Sequence, residues 1–174
     1  YGMTPETVAR ILASQHTISP HRMALSTVNR EGTSFTLIDD SFNANPDSMK
    51  AGLNGLKAWN SNDGKEPFRV ALLGAMLELG ADETALHTSI GTYAAELGID
   101  AIIAVGSAQD QHLDALAQAL ADGARQPQSA SVDCVHDIDA AEQLVIDLAR
   151  NHPDAVVLLK GSHASGLSAL AERW

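Results

Sequence analysis

Residues 68–106 decide the fold: FRVALLGAMLELGADETALHTSIGTYAAELGIDAIIAVG. Two short apolar runs, residues 68–73 and 101–105, are each followed by a glycine. Between them, residues 83–97 have the pattern of a helix, which Gly98 ends. Short apolar strands that alternate with helices are typical of a parallel sheet that is buried on both faces. This stretch therefore predicts a β–α–β unit.

The same alternation extends in both directions from this unit. The pattern predicts helices over residues 47–59, 108–120, 138–150 and 165–174, strands over 132–135 and 155–159, and a polar loop over 122–130. Because crossovers between parallel strands are right-handed, such a chain folds into a doubly wound sheet. The predicted fold class is α/β, with a Rossmann-like, mostly parallel sheet in three layers.

The first part of the chain departs from this alternation. Residues 23–28 and 33–38 alternate between apolar and polar side chains around Asn29-Arg30-Glu31-Gly32, which predicts an N-terminal β-hairpin. Residues 4–14 have the spacing of a short amphipathic helix with a proline in its first turn. We therefore expect one domain over residues 21–174, preceded by a linker or the tail of another domain over residues 1–20.

Composition and charge limit the classes of function. The chain is 45% hydrophobic and 19% charged, which is an ordinary globular mixture. A net charge of −11 argues against a broad interface with nucleic acid, although it leaves room for one bound nucleotide. With no apolar run of membrane-span length and no signal peptide, we expect a cytoplasmic domain without a membrane partner. A single cysteine, Cys134, excludes a disulfide within the chain and a cysteine-based metal cluster.

Four polar or glycine-containing clusters follow predicted strands, where ligands bind in open parallel sheets. They are DDSFNANPDS at 39–48, GAMLELG at 74–80, GS at 106–107 and KGSH at 160–163. A carboxylate in the first cluster could accept hydrogen bonds from ribose hydroxyls. From composition alone, the better interpretation of the same residues is a turn, with Asn45 or Asp47 as the N-cap of the next helix. Likewise, Lys160 could help to bind an anion or could simply reach solvent.

The glycines and histidines match no familiar catalytic or metal pattern. Neither G-x-G-x-x-G nor G-x-x-x-x-G-K-[ST] occurs. The seven histidines include no pair with metal-ligand spacing on one helix, so we predict no metal site. His87 lies within a predicted helix, where packing is a commoner role than catalysis.

Three of these stretches carry a resemblance to a known family. Residues 39–49, DDSFNANPDSM, resemble the D-D-S-Y-N-A-N-P-x-S-M signature of the Mur ligases that join D-alanyl-D-alanine to UDP-N-acetylmuramoyl-tripeptide. Residues 73–80, LGAMLELG, are similar to that family's L-G-D-M-x-E-L-G, and His87 and Gly91 follow at the expected spacing. Residues 159–162, LKGS, resemble its final K-G-S motif. The chain differs from the family pattern at His21, Phe42, Ala75 and His163, where the family commonly has Gly, Tyr, Asp and Arg.

The resemblance, which covers roughly residues 20–174, implies the C-terminal domain of a three-domain ligase of peptidoglycan synthesis. ATP would phosphorylate a carboxylate of the UDP-N-acetylmuramoyl-tripeptide, and the amine of D-alanyl-D-alanine would attack the acyl phosphate. Residues 1–20 would be the end of the central ATPase domain. ATP and Mg²⁺ would be bound mainly by that central domain. The resemblance therefore implies that this chain has no catalytic residue of its own, is inactive alone, and has the N-terminal and central domains as partners.

The resemblance also implies roles for individual residues. Asp40 would contact the ATP ribose, and Asn43 and Asn45 would shape the same loop near the nucleotide. The predicted substrate-binding residues, near the dipeptide, are Asn43, Lys160, Ser162 and His163, and the predicted loop near the site includes Gly74 and Glu78. One alternative is another Mur-type or folylpolyglutamate-type ligase domain, but the Asn-Ala-Asn-Pro stretch argues against it. A second alternative is a non-catalytic Rossmann-like binding module.

Overall fold

The computed structural model describes residues 21–60, 64–126 and 130–174, in which strands alternate with helices. The strands are β1 (Ala24–Arg30), β2 (Thr33–Asp40), β3 (Arg69–Leu73), β4 (Ala101–Val105), β5 (Ser131–Val135) and β6 (Val156–Lys160). The helices are α1 (Pro46–Ala58), α2 (Glu83–Glu96), α3 (Gln111–Arg125), α4 (Ile138–Asn151) and α5 (Leu167–Arg173). Two 3₁₀ turns, Gly80–Asp82 and His163–Ser165, precede α2 and α5.

The six strands form one sheet in the order β1-β2-β6-β3-β4-β5. β1 pairs with β2 in antiparallel fashion, and the other four pairings are parallel. Glu31 and Gly32 make the hairpin turn with φ angles of 47° and 77°. β6 is inserted between β2 and β3, so strands distant in sequence form the centre. The α/β class, the mostly parallel sheet and the hairpin are confirmed.

Helices cover both faces of the sheet, which confirms the three layers. Ala71 and Leu73 of β3 join a core cluster with residues from α1, α2 and α3. Val70 and Leu72 join a second cluster, with residues from α4 and α5. Because successive side chains of a strand point to opposite faces, a strand buried on both faces is mostly apolar along its whole length. All five residues of β3 are buried, and the last four of them, residues 70–73, are apolar.

Polar side chains define both ends of α1. Asn45 is its N-cap and accepts from the backbone N–H of Ser48 at 2.8 Å, while the Ser48 hydroxyl accepts from the N–H of Asn45 at 3.0 Å. At the other end, the buried Arg69 guanidinium donates to the carbonyl oxygens of Leu56 at 3.2 Å and Trp59 at 2.9 Å. A cation at this end also interacts favourably with the helix dipole.

Most predicted boundaries agree with the structure within two residues, but α3 differs at both ends. The helix begins at Gln111 rather than at residue 108, because the Asp110 carboxylate caps it. It continues to Arg125, so the predicted loop over residues 122–130 is wrong for its first four residues. Gly123 does not end the helix, because it packs directly against the backbone of Thr88 on α2.

The last helix, predicted over residues 165–174, is slightly shorter in the structure and spans Leu167–Arg173. Gly166 has a φ of 77°, and this left-handed residue separates the His163–Ser165 turn from α5. The helix predicted over residues 4–14 lies outside the described residues. No helix in the described part of the chain is both long and apolar enough to cross a membrane.

Candidate functional site

The carboxyl ends of β2, β6 and β3 lie side by side and bring three of the predicted clusters together. Asp40 pairs with Lys160 in the parallel register, and Lys160 pairs with Leu73 on its other side. Past the strand ends, the Gly74 N–H donates to the Lys160 carbonyl at 2.9 Å. The Ser162 N–H donates to the Ala75 carbonyl at 2.9 Å. We call the segments 39–48, 74–80 and 160–163 together the rim.

Lys160 is the single lysine of the three rim segments, which contain no arginine, and 2% of its side chain is exposed. Its Nζ lies 2.9 Å from Oδ2 of Asp40 and donates to the Asn43 carbonyl at 2.6 Å. An ammonium is buried at acceptable cost only when it is paired and hydrogen-bonded in this way. The alternative in which Lys160 reaches solvent is therefore wrong.

Asp39 serves the other face of the sheet. Its carboxylate accepts from the Ser41 hydroxyl at 2.6 Å, from the Ser41 N–H at 3.2 Å and from Nδ1 of His21 at 2.7 Å. The Ser168 hydroxyl of α5 donates to the Ser41 carbonyl at 2.7 Å. Asp39 thus fixes the start of the loop after β2, whereas Asp40 faces Lys160.

The loop after β2 also contains the turn chemistry that its composition allows. The Asn43 side chain accepts from the Ala44 N–H at 2.8 Å, and Asn45 caps α1. Phe42 is exposed at 46%, and the centroid of its ring lies 4.6 Å from the guanidinium carbon of Arg22. The loop is thus held by its own polar groups, with Phe42 and the Asn43 side chain at the surface.

The segment after β6 packs tightly against the segment after β3. A Cβ atom on Gly161 would lie 2.7 Å from Oγ of Ser165 and 3.0 Å from Cα of Gly74, so both glycines are required for the close approach. Ser162 is 6% exposed, and its Oγ has no hydrogen-bond partner within the described ranges. A buried hydroxyl without a partner is costly and uncommon, which makes this atom a candidate ligand contact.

Two exposed side chains complete the rim. His163 begins the 3₁₀ turn beside Ser162 and is exposed. Glu78 is exposed and has a φ of 61°, a left-handed conformation that a residue with a side chain seldom adopts. Both side chains are available to a ligand or to another domain that faces the rim.

His87 lies below the rim and binds the segment that follows β3, a structural role that the sequence alone did not reveal. The Met76 N–H donates to Nε2 of this fully buried ring at 2.9 Å, so Nδ1 must carry the proton that is donated to the Glu83 carbonyl at 2.7 Å. Burial lowers the pKa of His87, which favours this neutral form. The only signal in the sequence was the spacing from Gly74 to His87 in the family motif.

The described residues contain no group of three or more His, Cys, Asp or Glu side chains that could hold a metal ion.

A protein-family model described as "Mur ligase, glutamate ligase domain" matches residues 21–163. The chain belongs to this family. The resemblance predicted from the motifs is thereby confirmed. Within this Mur ligase domain, the match includes all three segments of the rim.

Individual proteins agree with the family match. The UDP-N-acetylmuramoyl-tripeptide–D-alanyl-D-alanine ligase of Mycobacterium tuberculosis (strain CDC 1551 / Oshkosh) is 37% identical over 177 residues, which cover 98% of this chain and 34% of the relative. A crystal structure of MurF from Acinetobacter baumannii has a TM-score of 0.68 and 25% identity, covering 99% of this chain and 33% of that one. MurF ligase from Thermotoga maritima in complex with ADP has a TM-score of 0.60 and 21% identity over 95% of this chain and 34% of that one, which shows the shared fold alone. This Mur ligase domain thus spans about a third of the length of these proteins.

The structure places every predicted site residue of this Mur ligase domain on the rim, but the environments differ. Asn43 and His163 are exposed, Asp40 is partly exposed, and Lys160 and Ser162 are buried. Asn45 has a structural role as the cap of α1. The contacts predicted for these residues with ATP and substrate stay predictions.

Proposed function

We propose that this Mur ligase domain is the C-terminal part of a cytoplasmic, ATP-dependent ligase that adds D-alanyl-D-alanine to UDP-N-acetylmuramoyl-tripeptide. The proposal is carried by the rim, where the family motifs meet at the carboxyl ends of three adjacent strands. The relatives that bear this activity in their names support it. Residues 1–20 would then be the end of the central ATPase domain, or a linker from it.

Asp40 fits the ribose end of ATP. Its carboxylate lies at the end of β2 with 16% of the side chain exposed, and Lys160 holds one of its oxygens. A carboxylate can accept from the two neighbouring hydroxyls of a ribose. The chain contains no G-x-x-x-x-G-K-[ST] sequence for the phosphates, so ATP and Mg²⁺ would be held mainly by the central domain. The Thermotoga maritima protein, which shares the fold, was crystallised in complex with ADP, and this is consistent with nucleotide binding by the proposed ligase.

Ser162 and His163 fit the side of the rim that would receive the dipeptide. The buried Ser162 hydroxyl can donate to a carboxylate of D-alanyl-D-alanine, and the exposed His163 ring lies next to it in the chain. In the proposed reaction, the γ-phosphate of ATP passes to a tripeptide carboxylate and ADP leaves. The dipeptide amine then attacks the acyl carbon, and phosphate leaves. The domain would orient the amine and exclude water by closing over the central domain.

Ligation by the full-length protein that carries this chain tests the proposal. Phosphate release should require ATP, UDP-N-acetylmuramoyl-tripeptide and D-alanyl-D-alanine together, and mass spectrometry should show the pentapeptide product. The 174-residue chain alone should give no product. If the protein turns over ATP with glutamate or another single amino acid in place of the dipeptide, it is a different ligase of this family. Full-length protein that never consumes ATP would indicate a binding module.

A substitution at Asp40 tests the nucleotide part of the proposal. Asp40→Ala should raise KM for ATP by roughly tenfold, as expected for the loss of a hydrogen-bonding carboxylate. Asp47→Ala is the matched control, because it is the same change at an exposed carboxylate just after the same loop. Equal KM values for ATP in the two variants would contradict the ribose contact.

A further inference from the structure

The Lys160 side chain is buried below the surface of the rim and does not project into the solvent. A lysine ammonium has three donors, and three protein acceptors surround this one. They are Oδ2 of Asp40 at 2.9 Å, the Asn43 carbonyl at 2.6 Å and the Asp40 carbonyl at 3.5 Å. With 2% of the side chain exposed, no donor of Lys160 is left to face a substrate.

A glycine of α1 makes room for this lysine. A Cβ atom on Gly52 would lie 3.2 Å from Cδ of Lys160 and 3.8 Å from Oδ2 of Asp40. The first of these separations is closer than ordinary carbon–carbon contact. Helix α1 starts directly after the loop of residues 41–45. Lys160 therefore passes along α1 and ends at the carboxylate and the carbonyl that frame this loop.

We infer that Lys160 is a positioning residue for the nucleotide: its ammonium sets the orientation of the Asp40 carboxylate and the path of the loop through Asn43. This inference rests on the proposed function and replaces a direct contact between Lys160 and the dipeptide. A positioning role predicts that loss of the ammonium affects the interaction with ATP, whereas a direct contact predicts an effect on D-alanyl-D-alanine.

Three variants of the full-length protein separate these roles. Lys160→Met removes the charge and keeps an unbranched apolar stem. Gly52→Ala leaves Lys160 in place but crowds its stem. Gly55→Ala is the matched control, because it is the same change one turn later on α1, where the added Cβ would meet only the flexible end of Met23 at 3.4 Å.

We expect Lys160→Met to raise KM for ATP on the order of tenfold and to leave KM for D-alanyl-D-alanine nearly unchanged, since misplacing a binding group is costly. Gly52→Ala should change KM for ATP in the same direction by less, and Gly55→Ala should not. In the Lys160→Met background, Gly52→Ala should add nothing, because its effect passes through the ammonium. Titration calorimetry with ADP alone should show the same order of affinities without any turnover.

Two results would overturn the inference. One is a larger change of KM for D-alanyl-D-alanine than for ATP in Lys160→Met. The other is an effect of Gly52→Ala on ADP binding that is undiminished in the double variant. If Lys160→Met does not fold, the ADP affinities of Gly52→Ala and Gly55→Ala still test the inference. Equal affinities in these two variants would contradict it. A wild-type protein that performs no ligation would contradict the proposed function instead, and ADP binding would still test Lys160.

Discussion

Nε2 of His87 accepts a hydrogen bond from the backbone N–H of Met76, 2.9 Å away, inside the core. The bond exists only while the imidazole is neutral, because a protonated Nε2 cannot accept. It joins α2 to the loop that follows β3. Stability of the domain is thereby linked to the protonation of one buried ring.

The first prediction is that acid weakens the fold through His87. Burial lowers the pKa of the folded ring below its ordinary value of 6.5. At a pH between the folded and the unfolded pKa of His87, the ring is protonated in the unfolded chain and neutral in the folded one. The stabilisation is therefore complete above pH 6.5 and falls as pH decreases toward the folded pKa, by at most about 1.4 kcal/mol per pH unit. Urea unfolding from pH 5 to 8 measures it, and His87→Gln should flatten the dependence.

His136→Gln is the control for that experiment. Hydrogen bonding to Asp114 raises the pKa of His136, so its contribution is present below 6.5 and is lost as pH rises through the folded pKa. Removing His136 should therefore make stability increase more steeply with pH, the opposite of His87→Gln. An unchanged dependence in His87→Gln would exclude the buried ring as the source.

The second prediction concerns the crossing of α2 and α3. A Cβ atom on Gly91 would collide with the backbone of Leu120 and Ala124. Gly91→Ala should cost about 1–3 kcal/mol in the free energy of unfolding, because neither backbone can move aside cheaply. Gly55→Ala, in a roomier part of a helix, should be neutral or stabilising by up to about 1 kcal/mol. Urea unfolding compares them, and equal effects would contradict the close crossing.

The third prediction concerns the cap on α1. Arg69→Met should lower the free energy of unfolding by about 1–3 kcal/mol, because the carbonyls of Leu56 and Trp59 lose a buried donor. Arg125→Met removes a cation that is 45% exposed and paired with Asp122, and should change stability by less than about 0.5 kcal/mol. Thermal unfolding of both variants checks the contrast. Similar losses in both would show that the cap contributes little.

The fourth prediction separates the two roles of Asn45. Asn45→Ala should destabilise the domain by about 1 kcal/mol through loss of the cap, and Asn45→Ser should retain most of that stability. If Asn45 acts only as the cap, Asn45→Ser in the full-length protein also keeps KM for ATP. A raised KM with unchanged stability would instead assign the amide to the nucleotide, so the two measurements together decide.

Local patterns were sufficient for most of the fold. The run from Val70 to Leu73 is apolar at every position and is followed by a glycine, which predicts a strand buried on both faces, as the structure has it. The end of α3 could not be predicted, because a glycine commonly ends a helix. Gly123 instead lies within α3 and packs against Thr88. That outcome depends on the crossing with α2, which lies more than 30 residues away in the chain.

The site was predictable in its position but only partly in its contacts. The clusters after β2, β3 and β6 meet because parallel strands end on the same edge. The surroundings of Lys160 depend on Gly52, on a helix that packs across β6, and no local pattern reports such a pairing. The buried hydrogen bond between the Met76 N–H and His87 could not be predicted either, because no local pattern indicates it.

The order of the strands has a consequence for biosynthesis. Lys160 ends a strand that sits in the middle of the sheet, between strands made about 120 and 90 residues earlier. In the folded sheet, β2 and β3 each have one edge that pairs with β6, so these two edges have no native partner until β6 emerges from the ribosome. Exposed strand edges are prone to aggregation, so the nascent domain is most vulnerable just before its last strand is translated.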